Sequence, residues 1–520
     1  MPDAALFSVS DKTGAAELAR ALSERGCAIY ATGGTRELLA AQGIDAHDVE
    51  EITGFPPLFG GRVKTLHPKL FGAILFDRDD AGHRDQARKY AIVAFSTIVV
   101  NLYPFEETVA HKNVTLSEAL EQIDVGGVAL LRAAAKNYKH VIVLSHPSQY
   151  GELLAALPDG GPDEAARKRL AVRAFECTAE YDAVIARYLA SQGATGAAEL
   201  PGALTVAMPL AQQLRYGENP QLRAAFYLGA SRNVPEQLHG KGLSYNNLLD
   251  LDATLRLLSR APLGAEFGSQ RERFARAAIV KHTVPCGVAQ RSTVNKAVGE
   301  ALAADPVSAY GGILATDRAI DVAAAKTLAP FFLEIVAAPE FASGALDILR
   351  KKKNLRIMRY EPGLPDELQR GLQLRSALGG VLAEEEDPAF ARESWNIVSA
   401  RRPLKQEWHD LALAWDVVRH VKSNGVVIVK DGVTRGICAG QTNRVSAVQI
   451  AGMRAGKLAQ GAACASDGFF PFADGLEAAA AAGCSAIIAP SGSMRDQEVI
   501  ATADRLGVSL VFSSHRYFLH

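Results

Sequence analysis

A lysine and a histidine stand side by side at the end of an apolar run in the second half of the chain. Lys281 and His282 directly follow AAIV, residues 277–280, and precede the turn-forming residues Pro285 to Gly287. A free imidazole titrates near neutral pH and suits a general base, while an ammonium group stabilises a developing oxyanion. Such a pair is incidental in most proteins, but its position between a strand and a Pro/Gly turn favours a site of proton transfer.

A second group of cations lies in GGRVKTLHPK, residues 60–69, whose Gly and Pro residues suit a rigid turn better than a helix. An exposed basic loop is the simplest interpretation of this segment. Against it, Tyr103 ends a later apolar run, and Asp124 and Lys136 follow in IDVGGVALLRAAAKN. Together these segments supply Lys, Tyr, Asp and Lys at the places where a doubly wound fold builds its pocket.

Two short polar segments near the N-terminus are candidates for binding a phosphate. SVSDKTG, residues 8–14, and ATGGT, residues 31–35, each follow an apolar run and place hydroxyl groups and glycine at the start of a helix. Helix N-termini attract anions through unpaired N–H groups and the helix dipole. One such turn is no more than an ordinary helix cap, but two on successive strands favour a phosphate site.

The elements that must position these residues alternate along the first 200 residues. This alternation predicts an α/β fold with a doubly wound parallel sheet, which binds ligands at the carboxyl ends of its strands. The predicted strands are Leu6–Ser10, Cys27–Thr32, Ala73–Phe76, Thr97–Tyr103 and His140–Leu144, and the first predicted helices are Lys12–Arg25 and Arg36–Gln42.

The chain of 520 residues is long enough for about three to four domains. A small-residue, Gly-rich segment with one proline, residues 191–205, predicts a domain boundary, which we place between residues 198 and 199. The domain of residues 199–520 is also predicted to be α/β, because apolar runs recur at 277–280, 311–315, 425–429 and 485–490.

Composition excludes several classes of protein. Lys and Arg total 56 against 57 Asp and Glu, and 48% of residues are hydrophobic, which is typical of a globular enzyme and not of a nucleic-acid-binding or disordered chain. We expect no signal peptide and no membrane span, because the most apolar tract is shorter than the ~20 residues that a bilayer requires. The six scattered cysteines predict reduced thiols in the cytoplasm. The basic cluster RKKKNLR, residues 350–356, is typical of a solvated loop.

Motifs along almost the entire chain resemble those of the bifunctional purine-biosynthesis enzymes that combine formyltransferase and inosine monophosphate (IMP) cyclohydrolase activities. In the first domain they are LFSVSDKTG, ATGGT, GGRVKTLHPK, VVNLYPF, IDVGGVALLRAAAKN and AFECTAEYD. In the second they are LRYGENP, LSYNNLLDLDA, VKHTVPCGVA, DPVSAYGG, KSNGVVI, GQTNRV, ASDGFFPF, APSGSMRD and HRYFLH, in the order of the family.

For the first domain the resemblance implies a methylglyoxal-synthase-like fold that closes the purine ring of a formylated ribonucleotide, FAICAR, to give IMP. Lys64 would stabilise the oxyanion, Asp124 or Tyr103 would take the amide proton, and Lys136 would help water leave. The residues expected to hold the 5′-phosphate are Ser8, Ser10, Lys12, Thr32, Gly34 and Thr35, and those expected around the base are Arg62, Lys64, Thr65, Asn101, Tyr103, Asp124, Gly126 and Lys136.

For the second domain the resemblance implies two cytidine-deaminase-like α/β subdomains. They would transfer a formyl group from 10-formyltetrahydrofolate to the 5-amino group of aminoimidazole carboxamide ribonucleotide (AICAR), with His282 as general base and Lys281 as its cationic partner. Pro471 would line the pterin pocket. The residues expected to contact the nucleotide are Arg215, Tyr216, Asn247, Gly311, Glu334, Asn424, Arg444, Phe469 and Arg516.

The resemblance also bears on metals and partners. The deaminase zinc signature is missing, since Pro285-Cys286 is followed by Val288 and Ala289 where a second cysteine would be needed, so we expect formyl transfer without metal. A structural monovalent cation is left open. Family members act as homodimers with transferase sites at the subunit interface. Neither nucleic acid nor a membrane is an expected partner.

Two departures and three alternatives accompany the resemblance. Phe71 stands where the family often has histidine, which we interpret as packing at a strand end, and Val284 stands where many relatives have a polar residue. One half of the chain could be a module that only binds a phosphoribosyl ligand, or the first domain could be a methylglyoxal-producing lyase. The sequence also leaves open a chain in which one half alone is active.

Overall fold

The computed structural model describes residues 4–111, 113–192, 200–228, 233–259, 274–386 and 395–520. The chain divides into two compact units, Met1–Pro209 and Leu210–His520. The boundary predicted between residues 198 and 199 lies outside the described residues, so these domain limits stay a prediction. No helix in the described ranges combines the length and apolarity needed to cross a membrane.

The first unit is built on a five-stranded sheet in which every pair of neighbouring strands is parallel, in the order β3-β2-β1-β4-β5. The apolar residues of the central strands β1 and β4 are buried, because helices cover both faces of the sheet. Its strands are β1 (Ala4–Val9), β2 (Ala28–Ala31), β3 (His47–Asp48), β4 (Phe95–Asn101) and β5 (Ile142–Leu144).

The connections of the first unit are helical. They are α1 (Ala15–Ser23), α2 (Gly33–Ala41), α3 (Glu50–Thr53), α4 (Pro68–Leu75), α5 (Ala81–Lys89), α6 (Phe105–Ala110), α7 (Leu116–Glu121), α8 (Gly126–Lys136), α9 (Tyr150–Ala156) and α10 (Glu164–Ser191), with 3-10 turns at Phe59–Gly61, Pro147–Gln149 and Leu157–Asp159.

The strand predicted at Ala73–Phe76 is wrong, since these residues belong to α4 and its C-cap. Pro68 occupies the first helical turn, and the His67 side chain caps the helix by accepting from the backbone N–H of Lys69 at 3.2 Å. A four-residue apolar run does not distinguish a strand from a buried helical segment. Phe71 therefore lies on a helix and packs against the core of the first unit, not at a strand end.

The second unit contains one twelve-stranded mixed sheet, in the order β16-β21-β20-β19-β17-β18-β10-β9-β11-β12-β13-β8, and two separate hairpins, β6–β7 and β14–β15. Its strands are β6 (Leu210–Gln213), β7 (Ala225–Tyr227), β8 (Glu236–His239), β9 (Ala275–Lys281), β10 (Val284–Arg291), β11 (Ile313–Thr316), β12 (Ile335–Ala338), β13 (Arg356–Arg359), β14 (Leu372–Ala377), β15 (Gly380–Glu385), β16 (Asn396–Ile397), β17 (Val426–Lys430), β18 (Val433–Cys438), β19 (Ala463–Ser466), β20 (Ala486–Pro490) and β21 (Ser509–Ser513).

The helices of the second unit cover both faces of this sheet. They are α11 (Tyr245–Arg256), α12 (Val294–Ala304), α13 (Pro306–Ala309), α14 (Val322–Leu328), α15 (Ser343–Leu349), α16 (Leu364–Glu367), α17 (Lys405–Val418), α18 (Arg444–Ala455), α19 (Asp474–Ala482) and α20 (Asp496–Leu506), with a 3-10 turn at Gly456–Ala459.

The large sheet consists of two copies of one pattern. In each copy a hairpin, β9–β10 or β17–β18, is followed by three mutually parallel strands, β11–β13 or β19–β21. The copies meet where β10 pairs antiparallel with β18, so equivalent strands run in opposite directions and a pseudo-twofold axis passes through the sheet. This duplication agrees with the prediction of two α/β subdomains.

One packing detail repeats in both copies. On β10, a Cβ built on Gly287 would lie 2.2 Å from the carbonyl oxygen of Ala301 in α12. On β18, a Cβ on Gly436 would lie 2.0 Å from the carbonyl oxygen of Ala451 in α18. Each helix therefore rests directly on a glycine of its hairpin, which only a residue without a side chain permits.

We expect Gly287→Ala to lower the free energy of unfolding of the second unit by about 1–3 kcal/mol, because the added methyl group overlaps backbone atoms. The measurement is urea unfolding followed by tryptophan fluorescence, since all three tryptophans, Trp395, Trp408 and Trp415, lie in this unit. Gly299→Ala on α12 is the control, because its Cβ would meet only Thr327 at an ordinary 3.8 Å. Equal destabilisation by both variants would contradict this packing argument.

Candidate active sites

The two predicted phosphate turns of the first unit meet at the carboxyl ends of β1 and β2. The Thr32 hydroxyl donates to the Ser8 hydroxyl at 3.1 Å, and Lys12 Nζ donates to the Thr35 hydroxyl at 3.2 Å. Partial burial lowers the pKa of Lys12. Because α2 begins at Gly33, the backbone N–H groups of Gly34 and Thr35 lie in its first turn, where a helix favours an anion.

Asn101 holds the turn that carries Ser10. Its Oδ1 accepts from the backbone N–H groups of Ser10 at 2.5 Å and Asp11 at 2.8 Å, and its Nδ2 donates to the carbonyl oxygen of Asp11 at 2.9 Å. These bonds occupy both atoms of the side-chain amide, which is buried. Asn101 therefore joins the end of β4 to the turn after β1.

The basic loop that follows the 3-10 turn Phe59–Gly61 reaches two helix N-termini. A Cβ on Gly33 would lie 2.7 Å from Lys64 Nζ, and a Cβ on Gly126 would lie 2.6 Å from the Thr65 hydroxyl. Gly33 begins α2, after β2, and Gly126 begins α8, after β4. Since β1 lies between β2 and β4, the loop crosses the same sheet edge that carries the phosphate turns.

Asp124 lies immediately before α8 at this edge. Its Oδ1 accepts from the backbone N–H of Gly127 at 2.6 Å, and its own N–H donates to the Tyr181 hydroxyl at 2.8 Å. Burial raises the pKa of the Asp124 carboxyl, against the opposing hydrogen bonds from Gly127 and the backbone of Tyr103. Burial and the neighbouring Asp124 charge also raise the pKa of Tyr103, which keeps its phenol protonated. Asp124 is thus the better proton acceptor of the two.

Two predicted site residues are not brought to this group within one chain. Arg62 is exposed and forms an ion pair with Glu121. Lys136 is exposed at the last residue of α8, about 15 Å of helix rise from Gly126 at its first residue. The predicted roles of Arg62 and Lys136 therefore stay predictions.

In the second unit Lys281 and His282 lie at the tip of the β9–β10 hairpin. His282 and Thr283 have φ values of +55° and +59°, the signature of a tight type I′ turn. Lys281 Nζ donates to the carbonyl oxygen of Tyr310 at 2.8 Å. Both Lys281 and His282 line a pocket of about 550 Å³, together with residues of β10, β18 and the start of α13.

Glu334 directly precedes β12, which is separated from the β9–β10 hairpin by β11. Its carboxylate pairs with Arg356 at 2.6 Å, and Arg356 also donates to the carbonyl oxygen of Gly242 at 3.1 Å. Arg215 is adjacent, since a Cβ on Gly242 would lie 3.8 Å from its Cδ. The prediction of a solvated loop at residues 350–356 holds for the exposed Lys351 and Lys353. It is wrong for the half-buried Lys352, which donates to the carbonyl oxygen of Phe331, and for Arg356, which is buried in this ion pair.

A second group of predicted nucleotide contacts surrounds the buried Asp467. Arg444 donates to the Asp467 carboxylate at 2.5 Å and to the Asn424 side-chain oxygen. The C-terminal segment crosses this group, because the Tyr517 backbone N–H donates to the carbonyl oxygen of Asp467 at 2.9 Å. Arg516, in that segment, is exposed and stands 4.9 Å from the Phe518 ring centre.

The remaining predicted contacts have varied environments. Asn247 is buried and completes the capping box of α11 with Ser244, so its side-chain oxygen already accepts a backbone N–H. Gly311, at φ +77°, donates its N–H to the carbonyl oxygen of Phe332. Tyr216 and Phe469 are half-buried and Pro471 is exposed.

Three residues at these sites were not singled out from the sequence: Tyr181, Asp250 and Asp467. Tyr181 binds the backbone of Asp124, Asp250 binds the turn of Lys281 and His282, and Asp467 pairs with Arg444. Each belongs to a motif quoted above, AFECTAEYD, LSYNNLLDLDA or ASDGFFPF. The motifs therefore pointed to the right segments of the sequence. Which residue of each motif supports the site is decided by hydrogen bonds between segments that are distant in the sequence.

Comparison with known proteins bears on both units. A family model described as "AICARFT/IMPCHase bienzyme" matches residues 134–454, and one described as "MGS-like domain" matches residues 14–129. Relatives described as "Bifunctional purine biosynthesis protein PurH" from Bacillus cereus strains B4264 and G9842 are each 45% identical to this chain, with all of both chains covered. The chain belongs to the AICARFT/IMPCHase bienzyme family.

Membership in the bienzyme family makes the chain a bifunctional enzyme of purine biosynthesis, a formyltransferase that uses a folate co-substrate and an IMP cyclohydrolase. The predicted family, activities and fold class are thereby confirmed. A solved structure described as "Crystal structure of ForH" is 34% identical over 37% of this chain and 99% of its own, with a TM-score of 0.34, and adds no argument about the fold.

We expect Lys64→Ala to abolish the conversion of FAICAR to IMP while leaving formyl transfer intact, because the ammonium group beside Gly33 is lost and the second unit is untouched. Each reaction is measured separately, with FAICAR or with AICAR plus the folate donor. Lys69→Ala, an exposed lysine five residues further along the chain, should leave both activities unchanged. Near-normal cyclisation by Lys64→Ala would overturn the assignment of Lys64.

Proposed function

We propose that the second unit transfers the formyl group of 10-formyltetrahydrofolate to the 5-amino group of AICAR, and that the first unit closes the resulting FAICAR to IMP with loss of water. In the transfer, the amine nitrogen attacks the formyl carbon and gives its proton to His282. Lys281 stabilises the tetrahedral oxyanion, and the bond from the formyl carbon to the folate nitrogen then breaks as His282 returns the proton to that nitrogen.

The pocket at the β9–β10 turn carries this proposal. It brings a cation and an imidazole to one rim, and the turn itself is held from outside by hydrogen bonds to its backbone. Cys286 lines the same pocket, and burial raises its pKa to about 12, so the thiol stays protonated. Transfer without zinc remains a prediction from the sequence. A structural monovalent cation remains a prediction.

For ring closure we assign the base to Asp124. Its raised pKa makes the carboxylate a stronger base, whereas the raised pKa of Tyr103 leaves a phenol that donates a hydrogen bond. Lys64 stabilises the oxygen of the formyl group as the carboxamide nitrogen attacks it. The phosphate turns around Ser8, Lys12 and Thr32 hold the ribonucleotide so that this attack is intramolecular.

We also propose that the enzyme works as a homodimer in the cytoplasm. The six cysteines, all within the described residues, form no disulfide with one another, which supports a reducing compartment. Lys281 and Glu334 lie at the same sheet edge as Asn424 and Asp467, because β9 ends and β12, β17 and β19 begin or end there. However, β12 and β19 are six strand spacings apart, about 29 Å, which exceeds the span of one nucleotide.

A site that uses both Glu334 and Asp467 is therefore best completed by a second copy of the chain. The β14–β15 hairpin offers an apolar surface for such contact, since Leu372, Leu374 and Val381 share one face and are 40%, 38% and 54% exposed. This surface lies near the C-terminal segment, because Arg375 donates to the carbonyl oxygen of His520 at 2.8 Å.

We expect His282→Ala to lower the turnover of formyl transfer by roughly 10²- to 10⁴-fold, the usual contribution of a general base, while FAICAR cyclisation is unchanged. The assay supplies AICAR and 10-formyltetrahydrofolate and follows FAICAR and IMP separately. Unchanged formation of FAICAR by this variant would refute the role of His282. Accumulation of FAICAR without IMP in the parent enzyme would show that only the second unit is active.

We expect formyl transfer, but not cyclisation, to be lost on dilution as the dimer dissociates, and Leu374→Glu to shift this loss to higher protein concentration. Sedimentation velocity measures the oligomeric state alongside both activities. Leu506→Glu is the matched control, since Leu506 is also 38% exposed but lies at the end of α20. Formyl transfer that is independent of concentration in a monomeric protein would contradict the proposal.

A further inference from the structure

Both hairpins of the duplicated sheet end in the same unusual turn. In the first copy His282 and Thr283 have φ values of +55° and +59°, and in the second Asp431 and Gly432 have φ values of +54° and +71°. Glycine adopts this backbone conformation freely, but a β-branched residue such as Thr283 rarely does. The turn that carries His282 therefore needs an external interaction to hold it.

An aspartate from a neighbouring helix supplies that interaction in each copy. Asp250 of α11 accepts from the backbone N–H groups of His282 at 3.3 Å and Thr283 at 2.6 Å. Asp410 of α17 accepts from those of Asp431 at 2.9 Å and Gly432 at 2.7 Å. The two aspartates occupy equivalent positions under the pseudo-twofold axis, since α11 and α17 pack on the same core of the sheet.

We propose that Asp250 is a positioning residue for formyl transfer, which holds the turn so that Lys281 and His282 face the pocket together. This inference rests on the role proposed for His282. Asp250 binds only the backbone of the turn, so its effect on the reaction passes through the placement of the imidazole and the ammonium group. Asp410 holds the equivalent turn of the second copy, which contains no histidine and lies at the opposite edge of the sheet. It therefore serves as a reference for an aspartate whose role is purely structural.

The charge of Asp250 suits this function. A carboxylate accepts two N–H groups at once and makes stronger hydrogen bonds than a neutral acceptor. Since α11 also carries Asn247 one turn earlier, the same helix presents a predicted nucleotide contact and the residue that fixes the proposed base. A shift of α11 would therefore move the predicted nucleotide contact, Asn247, together with the turn that carries His282.

The test compares five variants in the full-length enzyme. Asp250→Ala removes both hydrogen bonds, and we expect kcat for formyl transfer to fall about tenfold to a hundredfold, with a smaller change in KM for AICAR and no change in cyclisation. Asp250→Asn keeps one acceptor oxygen and should lie between this variant and the parent. Asp410→Ala should lower stability, measured by tryptophan fluorescence, but leave kcat unchanged.

The fourth variant combines Asp250→Ala with Thr283→Gly. Glycine at this position copies Gly432 and removes the conformational cost that Asp250 offsets, so a large part of the lost kcat should return. Thr283→Gly alone should stay close to the parent enzyme. A purely structural role predicts no such recovery of kcat beyond the recovery of folded protein.

Three results would overturn the inference: unchanged kcat in Asp250→Ala, an equal loss of kcat in Asp410→Ala, or no recovery on adding Thr283→Gly. The result for His282→Ala separates this inference from the proposed function. If His282→Ala is inactive while Asp250→Ala is fully active, only the positioning role fails. If His282→Ala is fully active, the assignment of the base itself fails.

Discussion

Parallel strands bring their carboxyl ends to one edge of a sheet, and in the first unit this constraint assembles the site. The turns after β1 and β2, the end of β4 and the start of α8 are distant in sequence, yet they lie side by side because β1 is central in the sheet. Asn101 joins two of these segments by hydrogen bonds to the turn after β1. Gly33 and Gly126 leave space where the basic loop crosses them, next to the Lys64 ammonium group and the Thr65 hydroxyl. The order of the strands brings these segments together, and the two glycines, which have no side chain, leave room for the loop.

The second unit is organised differently, because its sheet consists of two copies in which equivalent strands run in opposite directions. Equivalent strand ends of the two copies therefore lie at opposite edges of the sheet, whereas residues of β10 and β18 near the axis, such as Cys286 and Arg435, line the same pocket. The first copy contributes the tip of its hairpin and the beginnings of β11 and β12, and the second contributes the beginning of β17 and the ends of β19 and β21. The two sets of residues thus differ in type, one rich in groups for proton transfer and the other in a buried Arg–Asp pair.

Much of this arrangement was predictable from the sequence, and the exceptions have physical reasons. Alternating apolar runs predicted the parallel sheet, and the motifs predicted the residues at its edge.

The strand prediction for Ala73–Phe76 was wrong because four apolar residues fit a buried helix as well as a strand, and Pro68 favours the start of a helix. Arg356 looked solvated within a basic cluster, but its pairing with Glu334 depends on the neighbouring strand β12. Lys136 and Gly126 were predicted around the same base, whereas the two residues lie at opposite ends of α8. Local pattern indicates which residues matter, and only topology shows which of them meet.

The turn between β17 and β18 shows which features of the hairpin depend on its side chains and which do not. It keeps the aspartate, the backbone hydrogen bonds and the positive φ values of the first turn, but it carries Asp431 and Gly432 where the first has His282 and Thr283. The holding device is thus independent of the side chains that the turn presents. The duplication separates scaffold from side chain: one hairpin places histidine and threonine on a backbone that favours glycine, while its twin has glycine at one of the two positions.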